Sequence, residues 1–403
     1  MPIFRWNEII PTMHVNLPLP SPDALLHSQR LTVFIREKIE AAGGWIGFAD
    51  FMEAALYAPA LGYYAAGATN FGGAGDFVTA PELSPLFAEC LAVMAREVMI
   101  VAPFILEVGA GSGRLAVDLL RALEILDALP ERYAILELSA DLAARQKEMV
   151  AREIPHLLER VSWLQRLPER FSGLVLANEV LDAMPVSCVL WPEGWRDGVA
   201  LERGVGWQEG EGFVWQTRPA AGRLREAALA IATAYSLPPG YMSEIGLLAS
   251  DWVASWGSIL ERGSLLLIDY GFPGREYYLP ERQEGTLFCH YRHRAHAEPF
   301  FLPGLQDITA HVDFTALAEA AYAAGLELIG YTSQARFLLN CGLLSRLSER
   351  LASNDPARFQ VASAVHKLIE PHEMGELFKV MALGKGIAAP LVGFSGGDRS
   401  HTL

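Results

Sequence analysis

The sequence predicts an α/β fold built around a parallel sheet. Short apolar strands, "FILEV", "YAILEL", "VSWL" and "GLVLAN", recur between Phe104 and Asn178. Helix-like stretches, "GRLAVDLLRALEIL" and "SADLAARQKEMVARE", lie between them. Such alternation implies right-handed crossovers and parallel pairing. A glycine-rich turn, "GAGSG", joins the first strand to its helix.

Composition sets the frame. The chain has 403 residues, 51% hydrophobic and 20% charged, enough for one large core with insertions or for two domains. A net charge of −15 repels phosphate backbones, so nucleic acid is not an expected partner, whereas a basic substrate is attracted. Cys90, Cys188, Cys289 and Cys341 are far apart and form no CxxC pair, as expected of reduced, buried thiols. The first residues show neither an apolar signal region nor an Arg/Ser-rich transit pattern. No apolar run approaches the ~20 residues of a membrane span. The expectation is a cytoplasmic protein with no membrane insertion.

Residues 1–22 are proline-bearing and without period, and read as an extended arm. Residues 23–100 read as a helical region. Its first helix starts with Ser21 as cap and Pro22 in the first turn, and stops at Gly43-Gly44. A second, aromatic-rich helix stops near Pro59, and a third is capped near Ser84. Residues 101–186 carry the first part of the α/β core. Residues 187–262 interrupt it with a Trp/Val meander and two helices split by "LPPGYMSEIG". Residues 263–388 resume the core with "GSLLLIDYGF", a helix, a strand, and a last strand, "LFKVMALGKG", returning antiparallel. Residues 389–403 are expected to be a disordered tail.

Gly109, Gly111 and Gly113 permit positive φ and close approach of a ligand to the backbone. The following helix offers bare N–H groups and a partial positive charge. A P-loop is excluded, because no Lys-Ser/Thr follows. From Gly111, "GSGRLA" satisfies a dinucleotide fingerprint, so an NAD-dependent oxidoreductase stays open, as does a plain tight turn. Glu107, two residues before the first glycine, would repel a pyrophosphate and welcome a sulfonium or an ammonium group. Glu137 ends the second strand, where an acid suits a ribose diol, or simply neighbours the cap at Ser139.

The fourth strand runs into Asn178, Glu179 and Asp182, at the point where open α/β sheets bind ligands. Two carboxylates one helical turn apart can grip a guanidinium or polarise a nitrogen. Acids in a first helical turn also favour the macrodipole without any substrate. In "DITAHVDFTAL", His311 between Asp307 and Asp313 is a candidate base or positioning group, and Asp313 a candidate helix cap. Glu244, Tyr270 and Asp313 are weaker substrate candidates, and Asp269 and Tyr270 end a strand at the ligand edge. On a helix, His290, His293 and His296 would spiral over one side, but no suitably spaced set completes a zinc site, and no metal is expected. No GxSxG elbow is present, which disfavours hydrolase chemistry.

Five segments, "GDFVTAPELSPLFAE", "ILEVGAGSGRLA", "ANEVLDAMPV", "LLIDYG" and "DITAHVDF", resemble in order the MidA-like family of class I S-adenosylmethionine-dependent methyltransferases. The resemblance runs from about residue 25 to residue 385. Mitochondrial members serve respiratory complex I assembly as protein arginine methyltransferases. The resemblance implies a seven-stranded, Rossmann-like methyltransferase sheet with an N-terminal helical region and an α+β insertion before strand five. It implies S-adenosylmethionine held by Gly109, Gly111, Gly113 and Glu137, under a segment containing Thr79, Pro81 and Glu82. Asn178, Glu179 and Asp182 would line the active site. The implied substrate is a protein arginine, a respiratory-complex subunit being one candidate, and an oligomer is compatible. The remaining alternative is a non-catalytic docking factor that uses the Trp-rich insertion.

Overall fold

The computed structural model describes residues 17–65, 79–195, 198–352, 356, 358–387 and 390–403. Residues 1–16 of the expected arm lie outside them. Helix α1 (Pro22–Ala41) starts where Ser21 Oγ accepts from Ala24 N at 3.2 Å, and buries a Leu31–Ile35–Ile39 stripe. The chain turns at Gly43 and Gly44 into β1 (Ile46–Gly47) and α2 (Phe48–Tyr57). Short α3 (Ala80–Leu83) leads into α4 (Pro85–Met99), capped by Ser84.

The expected alternation follows: β2 (Phe104–Val108), α5 (Arg114–Ile125), β3 (Arg132–Leu136), α6 (Ala140–Glu153), β4 (Val161–Leu164) and β5 (Phe171–Asn178). The insertion contains β6 (Ser187–Trp191), β7 (Leu201–Gln208), β8 (Gly212–Pro219), α7 (Gly222–Tyr235), β9 (Tyr241–Ile245) and α8 (Leu247–Ile259). Its sheet is antiparallel, in the order β1-β7-β6-β9, with β8 on β7. The sequence reads the segment before α8 as a break between helices, whereas it forms β9. The helical region and the insertion are also less separate than expected. β1 joins the insertion sheet, and Phe48 and Phe51 share one core with Val205.

The core resumes with β10 (Leu260–Phe272), α9 (Gly274–Tyr277), β11 (Phe288–Tyr291), β12 (Arg294–His296), β13 (Asp307–Thr309) and β14 (Val312–Asp313). Then come α10 (Phe314–Ala323), β15 (Glu327–Ser333), α11 (Gln334–Asn340), α12 (Leu343–Ala352), α13 (Arg358–Ile369) and β16 (Phe378–Lys385). The main sheet runs β15-β16-β10-β5-β2-β3-β4, with β14 on the end of β10, so among the described residues it has eight strands where seven are expected. β16 is antiparallel to both neighbours. Side chains alternate across this sheet: Leu266 and Ile268 face the layer containing α4 and α5, while Leu265 and Leu267 pack with Val253 of α8 and Leu317 of α10.

Two expectations are corrected. His290, His293 and His296 lie on a β11–β12 hairpin, not a helix, because Arg292 and His293 take left-handed conformations and turn the chain back. The tail is ordered over the described residues 390–403. Phe394 is buried against Phe337, Arg399 makes a two-bond ion pair with Glu376 at 2.7 and 3.0 Å, and Asp398 accepts from Tyr331 N.

Candidate active site

β2 and β5 are neighbours, yet the chain leaves them in opposite directions: β3 and β4 lie on one side, β10 on the other. This is the switch point at which open α/β sheets form a crevice. The β2–α5 turn carries Gly109, Gly111 and Gly113 at φ 65°, 53° and 86°, a left-handed region that glycine enters without a Cβ penalty. Space matters as well at Gly113, where a Cβ would stand 3.3 Å from Gln146. Ser112 Oγ donates a short hydrogen bond to Glu82, tying the turn to α3.

Beside the turn, Glu137 follows β3. One of its oxygens accepts from Ser139 N and the other from Gln146 Nε2, both at 2.9 Å, while burial raises its carboxyl above the usual range. A cavity of about 580 Å³ opens here, lined by Glu137, Ala140, Ala143, Trp163, Leu164, Gln165 and Arg166. Its size, an acid at one wall and an indole at another suit a nucleoside. Glu107 is buried and accepts from Tyr133 Oη at 2.7 Å, and burial pushes its carboxyl to about 7.

The acids after β5 do not lie on a helix, as expected of two carboxylates one turn apart, but on a tight turn. Glu179 has φ 53°, which a non-glycine residue tolerates only where its surroundings enforce it. The enforcing group is Asp269, fully buried near the end of β10. Its Oδ2 accepts from the N–H groups of Val180, Leu181 and Asp182 at 3.1, 2.9 and 3.3 Å. The turn presents Glu179, half-buried, whose Oε1 accepts from Ala80 N and Asn178 Nδ2, both at 3.1 Å. Burial pushes Glu179 to about 8. Asp182 is raised to about 6, again by burial, against the pull of a 2.6 Å bond from Tyr270 Oη. Asp182 Oδ1 and Asn178 Oδ1 are buried and have no hydrogen-bond partner among the described residues. Aromatic rings border this cluster. Tyr57 donates to Ala183 O and stacks on Tyr64 at 5.6 Å, and Tyr64 donates to Asp307.

A family model for S-adenosyl-L-methionine-dependent methyltransferases matches residues 86–332. A crystal structure from Burkholderia thailandensis with bound S-adenosyl-homocysteine is 48% identical, covers 96% of this chain and 100% of its own, and superposes with a TM-score of 0.90. The chain belongs to the MidA-like methyltransferase family. Its cofactor is S-adenosylmethionine, so the dinucleotide reading of "GSGRLA" is set aside. Curated relatives include the mitochondrial protein arginine methyltransferases NDUFAF7 of Mus musculus and Homo sapiens. Each is 30% identical, covering 88% and 86% of this chain and 85% and 81% of the relatives. These relatives bear mitochondrial names, which overturns the expectation of a cytoplasmic protein.

In this methyltransferase, the remaining candidates divide. His311 packs edge-on against Tyr270 and Phe272, both at 5.2 Å. Burial, with Arg282 and Lys379 nearby, lowers it to about 4, so it is neutral at pH 7 and a weak base. Asp313 caps α10, its Oδ1 accepting from Thr315 N and Ala316 N. Glu244 is committed to Thr286, accepting from its N–H and hydroxyl at 2.7 and 2.9 Å. Thr79 precedes α3 without a side-chain capping bond. Pro81 and Glu82 line a second groove with Arg114 and Asp118. Residues 75–78 of "GDFVTAPELS" lie outside the described residues. Sequence reasoning missed Tyr57, Tyr64, Trp163 and Gln146. Only Gln146 left a signal, as a polar residue in the buried Leu142–Gln146–Val150 stripe.

Proposed function

We propose that this methyltransferase acts on an arginine nitrogen of a protein, held by Glu179 and Asp182. The observation that carries the reading is that Asp182 Oδ1 and Asn178 Oδ1 are both buried with no hydrogen-bond partner among the described residues, on the stretch that carries the Glu179 carboxylate. An acceptor-rich set enclosed by aromatic rings calls for a planar cation rich in N–H donors. The arginine methyltransferase names of the relatives point the same way.

In this reading the cavity beside Glu137 and Trp163 takes the adenosyl group, Glu137 receives the ribose hydroxyls, and the turn at Gly109, Gly111 and Gly113 lies against the amino-acid end. Asn178 stands between the two halves. The segment with Thr79, Pro81 and Glu82 covers the crevice. S-adenosylmethionine supplies a methyl group on a sulfonium, which a nitrogen lone pair can attack. Glu179 and Asp182 align the guanidinium and orient that lone pair, which is most of what an in-line displacement needs. Glu179, raised to about 8, is well matched to take the proton the nitrogen gives up. Tyr270, against which His311 packs, holds Asp182 in place. The seven strands of the family sheet correspond to the main path, with β14 an addition, and the meander between β5 and β10 is the family's insertion.

The test is Glu179→Gln. Methyl transfer falls by about ten- to a hundredfold, the loss of one buried charge-assisted bond, while cofactor affinity is unchanged. Full transfer by this variant would exclude the clamp.

A further inference from the structure

One side chain that the chemistry above leaves unused joins three walls of the cofactor crevice. Gln146 of α6 is fully buried. Its Nε2 donates to Gly111 O at 3.0 Å and to Glu137 Oε2 at 2.9 Å, and its Oε1 accepts from Trp163 Nε1 at 3.1 Å. Only this orientation of the amide works. Flipped, its oxygen would oppose two acceptors and its nitrogen a donor. The turn also packs on its stem at Gly113. Each of these bonds ends on a group at the crevice, and none serves another helix.

We propose that Gln146 is a positioning residue for the cofactor: it fixes the Glu137 carboxylate for the ribose hydroxyls, holds the Trp163 indole as a wall for the adenine, and pins the turn at Gly111. The proposal rests on the assignment of the adenosyl group to this cavity. With Ser139 N on one oxygen and Gln146 on the other, the carboxylate is locked in orientation, and each oxygen keeps a lone pair for a hydroxyl. The arrangement is preorganised, so binding loses little rotamer freedom.

The titratable groups around Gln146 are Glu137 and, through it, Glu107 with Tyr133 on its carboxylate. Arg166 lines the same cavity, Asp141 and Arg145 pair with each other on α6, and Lys147 and Glu148 are exposed. Gln146→Glu keeps the bond from Trp163 but sets a second carboxylate against Glu137 and Gly111 O. A proton shared between the two carboxylates restores the donor toward Glu137 but not the one toward Gly111 O, so the defect is partly reversible by pH.

S-adenosyl-homocysteine affinity, measured by calorimetry, is expected to fall about tenfold or more in Gln146→Glu at pH 8 and to recover part of the loss at pH 6. The wild type changes less over the same interval. Gln146→Met, of similar size, serves if the first variant does not fold. It is expected to bind about tenfold more weakly at both pH values. Wild-type affinity in Gln146→Met, or in Gln146→Glu at pH 8, alongside weakened binding in Glu137→Ala, overturns the proposal. Wild-type affinity in Glu137→Ala instead overturns the ribose assignment, and the proposal with it.

Discussion

Glu179 combines a left-handed backbone, a buried carboxyl and a place beside Asp182, and each of these costs stability in the free protein. The left-handed conformation alone costs a non-glycine residue about 1–2 kcal/mol. Glu179→Gly is therefore expected to melt at or above the wild-type temperature while losing methyl transfer, since glycine removes both the strain and the desolvated acid. A clear drop in melting temperature would show that the bond from Ala80 N outweighs the strain. The pH dependence has a definite sign. Glu179 and Glu107 titrate near 8 and 7 in the folded protein, above the ordinary value of 4.5, so the folded state holds protons that the unfolded state has released. Stability of the ligand-free protein thus falls as pH rises from about 5 to 8. Binding of an arginine peptide requires the ionised acids, so it releases protons and tightens over the upper part of that interval. Calorimetry in buffers of different ionisation enthalpy reads the proton release directly.

Among the elements, the β2–α5 turn was legible from sequence because glycine spacing reports backbone conformation. All three glycines take positive φ. Gly111→Val is expected to abolish cofactor binding with only modest loss of fold, as a branched side chain is strained there and crowds the ligand's approach. Unchanged calorimetric affinity would make the turn purely structural. Asp313 was legible as a cap for a similar reason, since a cap is a local pattern. The turn after β5 was not legible in its geometry. Its shape depends on Asp269, about ninety residues away, and no local periodicity encodes such a bond. The tail reads as disordered because glycine and polar residues dominate it, while its order rests on Leu391, Phe394 and the Arg399–Glu376 pair. Phe394→Ala is expected to cost ~3–5 kcal/mol, as for a large buried aromatic, with cofactor affinity retained. Denaturant unfolding checks this, and a cost below ~1 kcal/mol would argue that the tail is loosely held.

Across the whole molecule, one unit supplies the cofactor crevice and another encloses the acids. The α/β core, legible from its strand–helix alternation, carries the glycine turn, Glu137 and the turn after β5. Tyr57 and Tyr64 reach the acids from the helical region that shares a core with the insertion, a junction made by the two-residue strand β1. So short a strand leaves no pattern in a sequence, and the aromatic border of the site is therefore not legible there. The net charge of −15 supports the same function at long range, drawing basic segments toward an acidic site. The central claim, methyl transfer to an arginine nitrogen gripped by Glu179 and Asp182, is tested most directly by one measurement. Lysate from cells lacking the protein is incubated with labelled S-adenosylmethionine and either wild type or Glu179→Gln, and labelled residues are identified by mass spectrometry. The account predicts label on arginine with the wild type and about ten- to a hundredfold less with the variant. Label confined to another residue type, or equal labelling of arginine by both proteins, would contradict it.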